Sequence, residues 1–339
     1  MPIRLQKYLF LTLTLIVFSP AALAEMPSDA DLQRVVDEAH ARFKDVKEGA
    51  NANYIPILDT VPSDLFGVVI VTREGEVFTA GDVDYRFSIQ SVSKPFTAAL
   101  VMAQQGPEAV REKIGVEPTG QPFNSKIAIE MYPSRSGNPL VNAGAIAAVS
   151  LVEAKDEDDR WRLVHDNIEG FAGSELPVLE EVYTSEIETA WSNRAIANLL
   201  YNYERLYADP EETLRVYTRQ CSIGINVEEL AMMGATLANR GVNPSTGRRL
   251  LPAEHVPELL AIMAAAGFYD ESGEWMFNAG LPAKTGVGGG VVAVVPEKFA
   301  IAAFSPRLNE AGNSIRSMRA IRHNAGELGV GLYGSNPEL

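Results

Sequence analysis

Two short apolar hairpins, one toward each end of the chain, constrain this fold more than any other feature. Phe66-Gly-Val-Val-Ile-Val-Thr72 and Glu76-Val-Phe-Thr-Ala80 are separated by Arg-Glu-Gly. Gly290-Val-Val-Ala-Val-Val295 and Phe299-Ala-Ile-Ala-Ala-Phe304 flank Pro296-Glu-Lys298 in the same way. Each pair reads as two antiparallel strands around a short turn. Between them, residues 91–270 are mostly helical in pattern, with Ala- and Leu-rich segments at 142–155, 189–206 and 228–240. A helix is expected from Asp29 to about Lys47, behind Ser28 and Asp29 as caps, and a last one from about Asn313 to Leu328. Strands at both ends and helices between them predict an α+β fold with one antiparallel sheet built from both chain ends and an inserted helical lobe. The sheet lobe would take about residues 25–90 and 271–339, the helical lobe about 91–270, with the site in the cleft between them.

The chain opens differently. Arg4 and Lys7 precede the apolar run Tyr8–Phe18, and Ala22-Leu-Ala24 follows. A charged head, a short apolar core and an A-x-A site read as a secretory signal peptide over residues 1–24. The run is shorter than the roughly 20 residues that span a bilayer, so residues 25–339 are expected as an exported, periplasmic protein that is not membrane-bound after cleavage. The formal charge of −15 argues against a nucleic-acid binder, which needs a concentrated cationic face. One cysteine, Cys221, precludes an internal disulfide, and no Cys/His spacing suggests a metal. Four scattered histidines leave few candidates for a histidine-based mechanism. The run Lys155-Asp-Glu-Asp-Asp-Arg160 is most simply a solvated helix end or loop.

Chemistry enters with Phe87-Ser-Ile-Gln-Ser91-Val-Ser-Lys94. At the start of a helix, Ser91 and Lys94 lie about one turn apart on one face. A partly desolvated lysine there can lose its proton and serve as base to the serine hydroxyl. Ser-x-x-Lys alone is weak. Ala283-Lys-Thr-Gly286, just before the penultimate predicted strand, is its usual companion in serine acyl-transfer enzymes.

Longer motifs are more specific. Asn138-Pro-Leu-Val-Asn142-Ala-Gly-Ala-Ile146, Ser185-Glu186 with Asn193-Arg-Ala-Ile-Ala197, Tyr217-Thr-Arg-Gln-Cys-Ser-Ile223 and Gly267-Phe-Tyr269-Asp270 resemble the bacterial and mitochondrial glutaminase family. So do Phe-Ser-Ile-Gln-Ser-x-Ser-Lys and Lys-Thr-Gly-Val-Gly-Gly-Gly290, and the resemblance runs from about Tyr54 to Phe304. It implies the β-lactamase and penicillin-binding-protein fold, and hydrolysis of L-glutamine to L-glutamate and ammonia without a cofactor or metal. It makes Ser91 the nucleophile and Lys94 its general base. Tyr54 and Tyr269 match active-site tyrosines, Tyr269 as a proton relay to the leaving ammonia. Asn142, Glu186, Asn193 and Tyr217 match residues that hold the substrate. Val287 matches the position whose backbone N–H, with that of Ser91, binds the oxyanion. It further implies a homodimer or homotetramer. Thr285 stands where the family usually has serine, which keeps the hydroxyl, and many bacterial relatives lack a leader.

The residue types make sense independently of the family. A free amino acid offers an ammonium to an anion such as Glu186 and a carboxylate to donors such as Asn142, Asn193 and Tyr217. Two other readings compete. Ser136-Gly137-Asn138 mimics the Ser-x-Asn of penicillin-recognising enzymes, which keeps an exported β-lactamase or peptidase in view. A non-catalytic periplasmic amino-acid binding protein would keep Glu186 and the asparagines, but has no use for both Ser91 and Lys94. Gly329-Val-Gly331-Leu-Tyr-Gly334 matches a dinucleotide fingerprint by letter, but too little chain follows for the helix that motif needs.

Overall fold

The computed structural model describes residues 26–334, so the expected leader lies outside the described residues. Among the described residues seven strands occur: β1 (Gly67–Thr72), β2 (Val77–Gly81), β3 (Phe87–Ser88), β4 (Gly224–Ile225), β5 (Ala283–Thr285), β6 (Gly290–Val295) and β7 (Phe299–Phe304). Five of them form an antiparallel sheet in the order β2-β1-β7-β6-β5. The two expected hairpins are β1–β2 and β6–β7, and they join where β1 pairs with β7, Val69 opposite Ala302. The sheet is thus built from both chain ends.

β1, β6 and β7 are buried along their whole length, which is why they read as continuous apolar runs and not as alternation. Alternate residues instead feed two cores. Val68, Ile70, Val291, Ala293 and Ile301 pack under the helices Asp29–Phe43 and Ile315–Glu327. Val69, Val71, Val292, Val294 and Ala302 face the helical segment, where Val227–Ala238 lies directly against the sheet. That approach is close. A Cβ on Gly234 of this helix would sit 2.6 Å from the Ala300 Cβ, so only glycine fits.

Local boundaries differ from expectation where tertiary contacts intervene. The first helix, capped by Ser28, ends at Phe43 and not near Lys47, because the following chain is drawn away to pair Ala50 with Leu308. The helices expected at 142–155, 189–206 and 228–240 occupy Asn142–Leu151, Trp191–Asn202 and Val227–Ala238. The acidic run starts a helix: Asp156 caps Glu157–Ala172, accepting from the Asp159 amide at 2.8 Å. Carboxylates in that first turn suit the helix dipole. The Lys-Thr segment, expected ahead of a strand, is itself the edge strand β5.

Candidate active site

The stretch around Ser91 is held by a ribbon too short to foresee. β3 pairs with β4, Phe87 opposite Ile225, and the Ile89 amide donates to the Ile223 carbonyl at 2.8 Å. The chain then turns through Gln90 at φ +50°, a conformation costly for any residue but glycine. A 3-10 helix, Gln90–Ser93, runs into the α-helix Lys94–Gln105, whose first turn accepts Pro95. In a 3-10 turn side chains at i and i+3 eclipse. Lys94, the first α-helical residue, donates its backbone N–H to the Ser91 carbonyl, so the two residues lie one 3-10 turn apart. Ser93 donates to the Gln90 carbonyl and accepts from Gln220, which bonds Thr97, bracing the turn from behind.

Lys94 is buried and, among the described residues, has no carboxylate within ion-pair distance. Its Nζ donates to Asn142 Oδ1 at 2.6 Å, an oxygen that also accepts from the Tyr217 hydroxyl at 3.3 Å. Asn142 Nδ2 in turn donates to Asn193 Oδ1 at 2.8 Å, which aims the Asn193 amide group. Burial pushes the Lys94 ammonium down to about 8. An amine poised there near neutral pH can exchange a proton with the neighbouring hydroxyl. Burial also keeps the Tyr217 phenol protonated, raising it well above its ordinary value.

Glu186 sits on the helix Glu180–Thr189 and accepts from Gln90 Nε2 at 3.1 Å. Burial pushes its carboxyl up to about 7, against the pull of that amide and of Lys94. Tyr54, 54% exposed, stands at the mouth of the cleft. Its loop is tied down by Asn51, which donates to the Leu58 and Val61 carbonyls. The buried Arg316 guanidinium also anchors the loop, donating to the Ser63, Asp64 and Leu65 carbonyls.

The opposite wall is made of backbone and a strained turn. Among the described residues, neither the Ser91 nor the Val287 amide donates to a protein acceptor. Two idle N–H groups beside one serine hydroxyl form a site for developing negative charge on oxygen. Tyr269 is buried with φ +58°, packs its ring 4.7 Å from Phe123, and its hydroxyl donates to the Thr285 carbonyl at 3.4 Å with Ser91 close by. Burial raises its phenol above the ordinary value, so it stays protonated. Lys284 Nζ lies 4.2 Å from that ring centre and donates to the Gly267 and Thr285 carbonyls. Burial and the charge of Lys94 hold Lys284 well below its usual range.

Ser91, Tyr54, Asn142, Glu186, Asn193, Tyr217 and Val287 all line one small cleft of about 130 Å³, with Lys94 beneath Asn142 and Tyr269 behind Ser91. All nine expected residues are thus brought together. Among the described residues, Glu186 is the only carboxylate on its walls. The sequence reading missed Gln90, although it adjoins Ser91 in the same motif, and nothing local signals its strained φ. It also missed that the buried, unpaired Cys221 sits on the cleft wall. The Ser-x-Asn mimic serves elsewhere: Ser136 donates to the Ile114 carbonyl, and Asn138 donates to Glu117 O and accepts from the Leu140 amide. Among the described residues no group of three or more His, Cys, Asp or Glu is placed to hold a metal ion.

Comparison with known proteins agrees with this geometry. The glutaminase family model matches residues 49–333. A glutaminase from Colwellia psychrerythraea is 49% identical over 92% of this chain and 100% of its own length. One from Brucella canis is 50% identical, covering 91% and 98%. A solved probable glutaminase superposes with a TM-score of 0.89 at 48% identity, covering 91% of this chain and 99% of that one. A probable glutaminase from Bacillus subtilis, solved with 6-diazo-5-oxo-L-norleucine, gives 0.80 at 30% identity, covering 92% and 100%. With the match spanning almost every described residue and the architecture shared, the chain belongs to the glutaminase family.

Proposed function

We propose that the protein hydrolyses L-glutamine to L-glutamate and ammonia through an acyl-enzyme on Ser91. The observation that carries this is the buried Lys94, one 3-10 turn after Ser91 and, among the described residues, in no ion pair with a carboxylate, beside a cleft whose described lining holds one carboxylate, Glu186. Glutamine's ammonium meets Glu186, and its carboxylate meets the amide and phenol donors of Asn193, Tyr217 and Tyr54. The side-chain amide is then fixed over Ser91, an advantage of orientation as much as of chemistry.

Neutral Lys94 takes the Ser91 proton as Oγ attacks the amide carbon, and the resulting oxyanion accepts from the Ser91 and Val287 amides. The C–N bond breaks as the leaving nitrogen receives a proton, Tyr269 relaying it from the Lys94 ammonium. Ammonia departs and a glutamyl ester remains on Ser91. Water, deprotonated by Lys94, attacks that ester. Collapse releases glutamate and returns the proton to Ser91.

Ammonia release from purified protein, with glutamine and asparagine run side by side, tests the reading. Ser91→Ala is expected to remove essentially all turnover while leaving the melting temperature unchanged. Full activity in that variant would sink the mechanism. The sequence pattern of residues 1–24 supports export to the periplasm with cleavage after Ala24. Among the described residues no helix is long and apolar enough to cross a membrane. A mature mass that still includes Met1 would overturn cleavage. A homodimer or homotetramer, supported by family membership, is checked by light scattering, and a monomer at working concentration would refute it.

A further inference from the structure

We propose that Glu271 is a positioning residue for hydrolysis, its carboxylate clamping the Tyr269 turn to the 309–313 loop and so setting the wall on which the oxyanion forms. The proposal rests on the roles of Ser91, Tyr269 and Val287 given above. Asn309 Nδ2 donates to both Glu271 oxygens, at 3.1 and 2.9 Å, and Asn313 Nδ2 donates to Oε2 at 2.6 Å. The loop also closes on itself. Asn309 N donates to Asn313 O and Asn313 N to Asn309 Oδ1, both at 2.9 Å.

The tip of this loop reaches the reacting wall. Gly312 sits at φ +91°, and a Cβ there would lie 3.5 Å from Val287 Cγ1 and 3.8 Å from Tyr269 Cε2. At the other end, the Glu271 amide donates to Phe268 O at 3.0 Å. Ser272 Oγ donates to Tyr269 O at 2.8 Å and accepts from the Phe268 amide. The carboxylate thus joins the strained tyrosine to the loop that packs against the Val287 side chain, the residue whose amide is idle. Hydrogen bonds to an ionised oxygen are about twice as strong as neutral ones, as holding a non-glycine residue at positive φ requires. Asn142, Glu186, Asn193 and Tyr217 lie on other elements with their own bonds and share no hydrogen bond with the clamp. The clamp therefore acts on the chemical step and not on substrate binding. Glu271 and Asn309 also border a separate cavity of about 310 Å³, which leaves room to alter either side chain.

Glu271→Gln replaces one acceptor oxygen by a donor that faces the asparagine amides. Displacing the reacting wall by a fraction of an ångström is expected to lower kcat roughly 10- to 100-fold, with KM within about twofold of wild type. Adding Asn309→Asp in the same chain restores a matched pair, since the new amide donates to the new carboxylate, and is expected to recover most of kcat. An unchanged kcat in Glu271→Gln, a loss carried by KM, or a folded double variant no better than the single one overturns the clamp. Should the double variant melt early, the kcat–KM split in Glu271→Gln alone decides. Wild-type protein runs alongside: if it releases no ammonia, the reaction itself is misread, whereas active wild type with an insensitive Glu271→Gln removes only the clamp.

Discussion

The two walls of the cleft are built on different principles. The helical wall presents side chains: Asn142, Asn193 and Tyr217 are bonded to one another and to Lys94, and Glu186 is steadied by Gln90. The sheet-side wall presents backbone: the idle Val287 amide and a tyrosine held at positive φ. Hydrogen-bonded side chains on helices are suited to recognising a zwitterion, whose charges are the same before and after reaction. Preorganised amides are suited to a charge that exists only during reaction. Lys94 lies at the junction, bonded to the first wall and one turn along the chain from the serine that faces the second.

That division can be broken by experiment. After loss of the nucleophile itself, Lys94→Ala should cost the most, about 10²- to 10⁴-fold in kcat as expected for a general base, with the melting curve showing a folded protein. Near-wild-type turnover would remove Lys94 as base and dissolve the junction. Glu186→Gln should act on binding instead. A hydrogen bond to a charged group is worth about 1.5–3 kcal/mol, so KM is expected to rise roughly 10- to 100-fold with a much smaller change in kcat. A kcat loss at constant KM would place Glu186 on the chemical side and erase the contrast.

The smallest effect is a shift in a pH profile. Glu186 is anionic above about 7 and Lys94 neutral above about 8, so log kcat/KM should rise with pH through that interval. As the two groups interact, the apparent values belong to the pair. In Glu186→Gln one proton disappears from the rise. The remaining limb moves somewhat below 8, because losing the nearby anion disfavours the Lys94 ammonium. A wild-type profile flat between pH 6 and 9 would contradict both assignments.

Legibility followed the range of the interaction. The hairpins β1–β2 and β6–β7 were readable because each is closed by a short turn between apolar runs. β3 and β4 were not, being two residues each and far apart in the chain, so no window of sequence contains the pair. β5 was hidden in the same way by its three-residue length. Within the site, Ser91 and Lys94 follow from their spacing taken together with the Lys284-Thr-Gly286 companion. The other site residues were legible only through long motif resemblance, since a lone Glu186 or Asn193 has nothing local to mark it. Gln90, Cys221 and the Glu271 clamp escaped because their roles depend on partners from distant segments.

The sequence by itself determined the serine–lysine spacing, the two hairpins that meet in one sheet, and the family. Only the tertiary structure decided what those groups are chemically. A lysine becomes a base near neutral pH by burial, with Asn142 reaching it across 48 positions. A glutamate becomes a buried carboxylate on the cleft wall, steadied by Gln90 from 96 positions away. Protonation is set by local desolvation and by the groups within a few ångströms, and those neighbours exist only once the chain has folded.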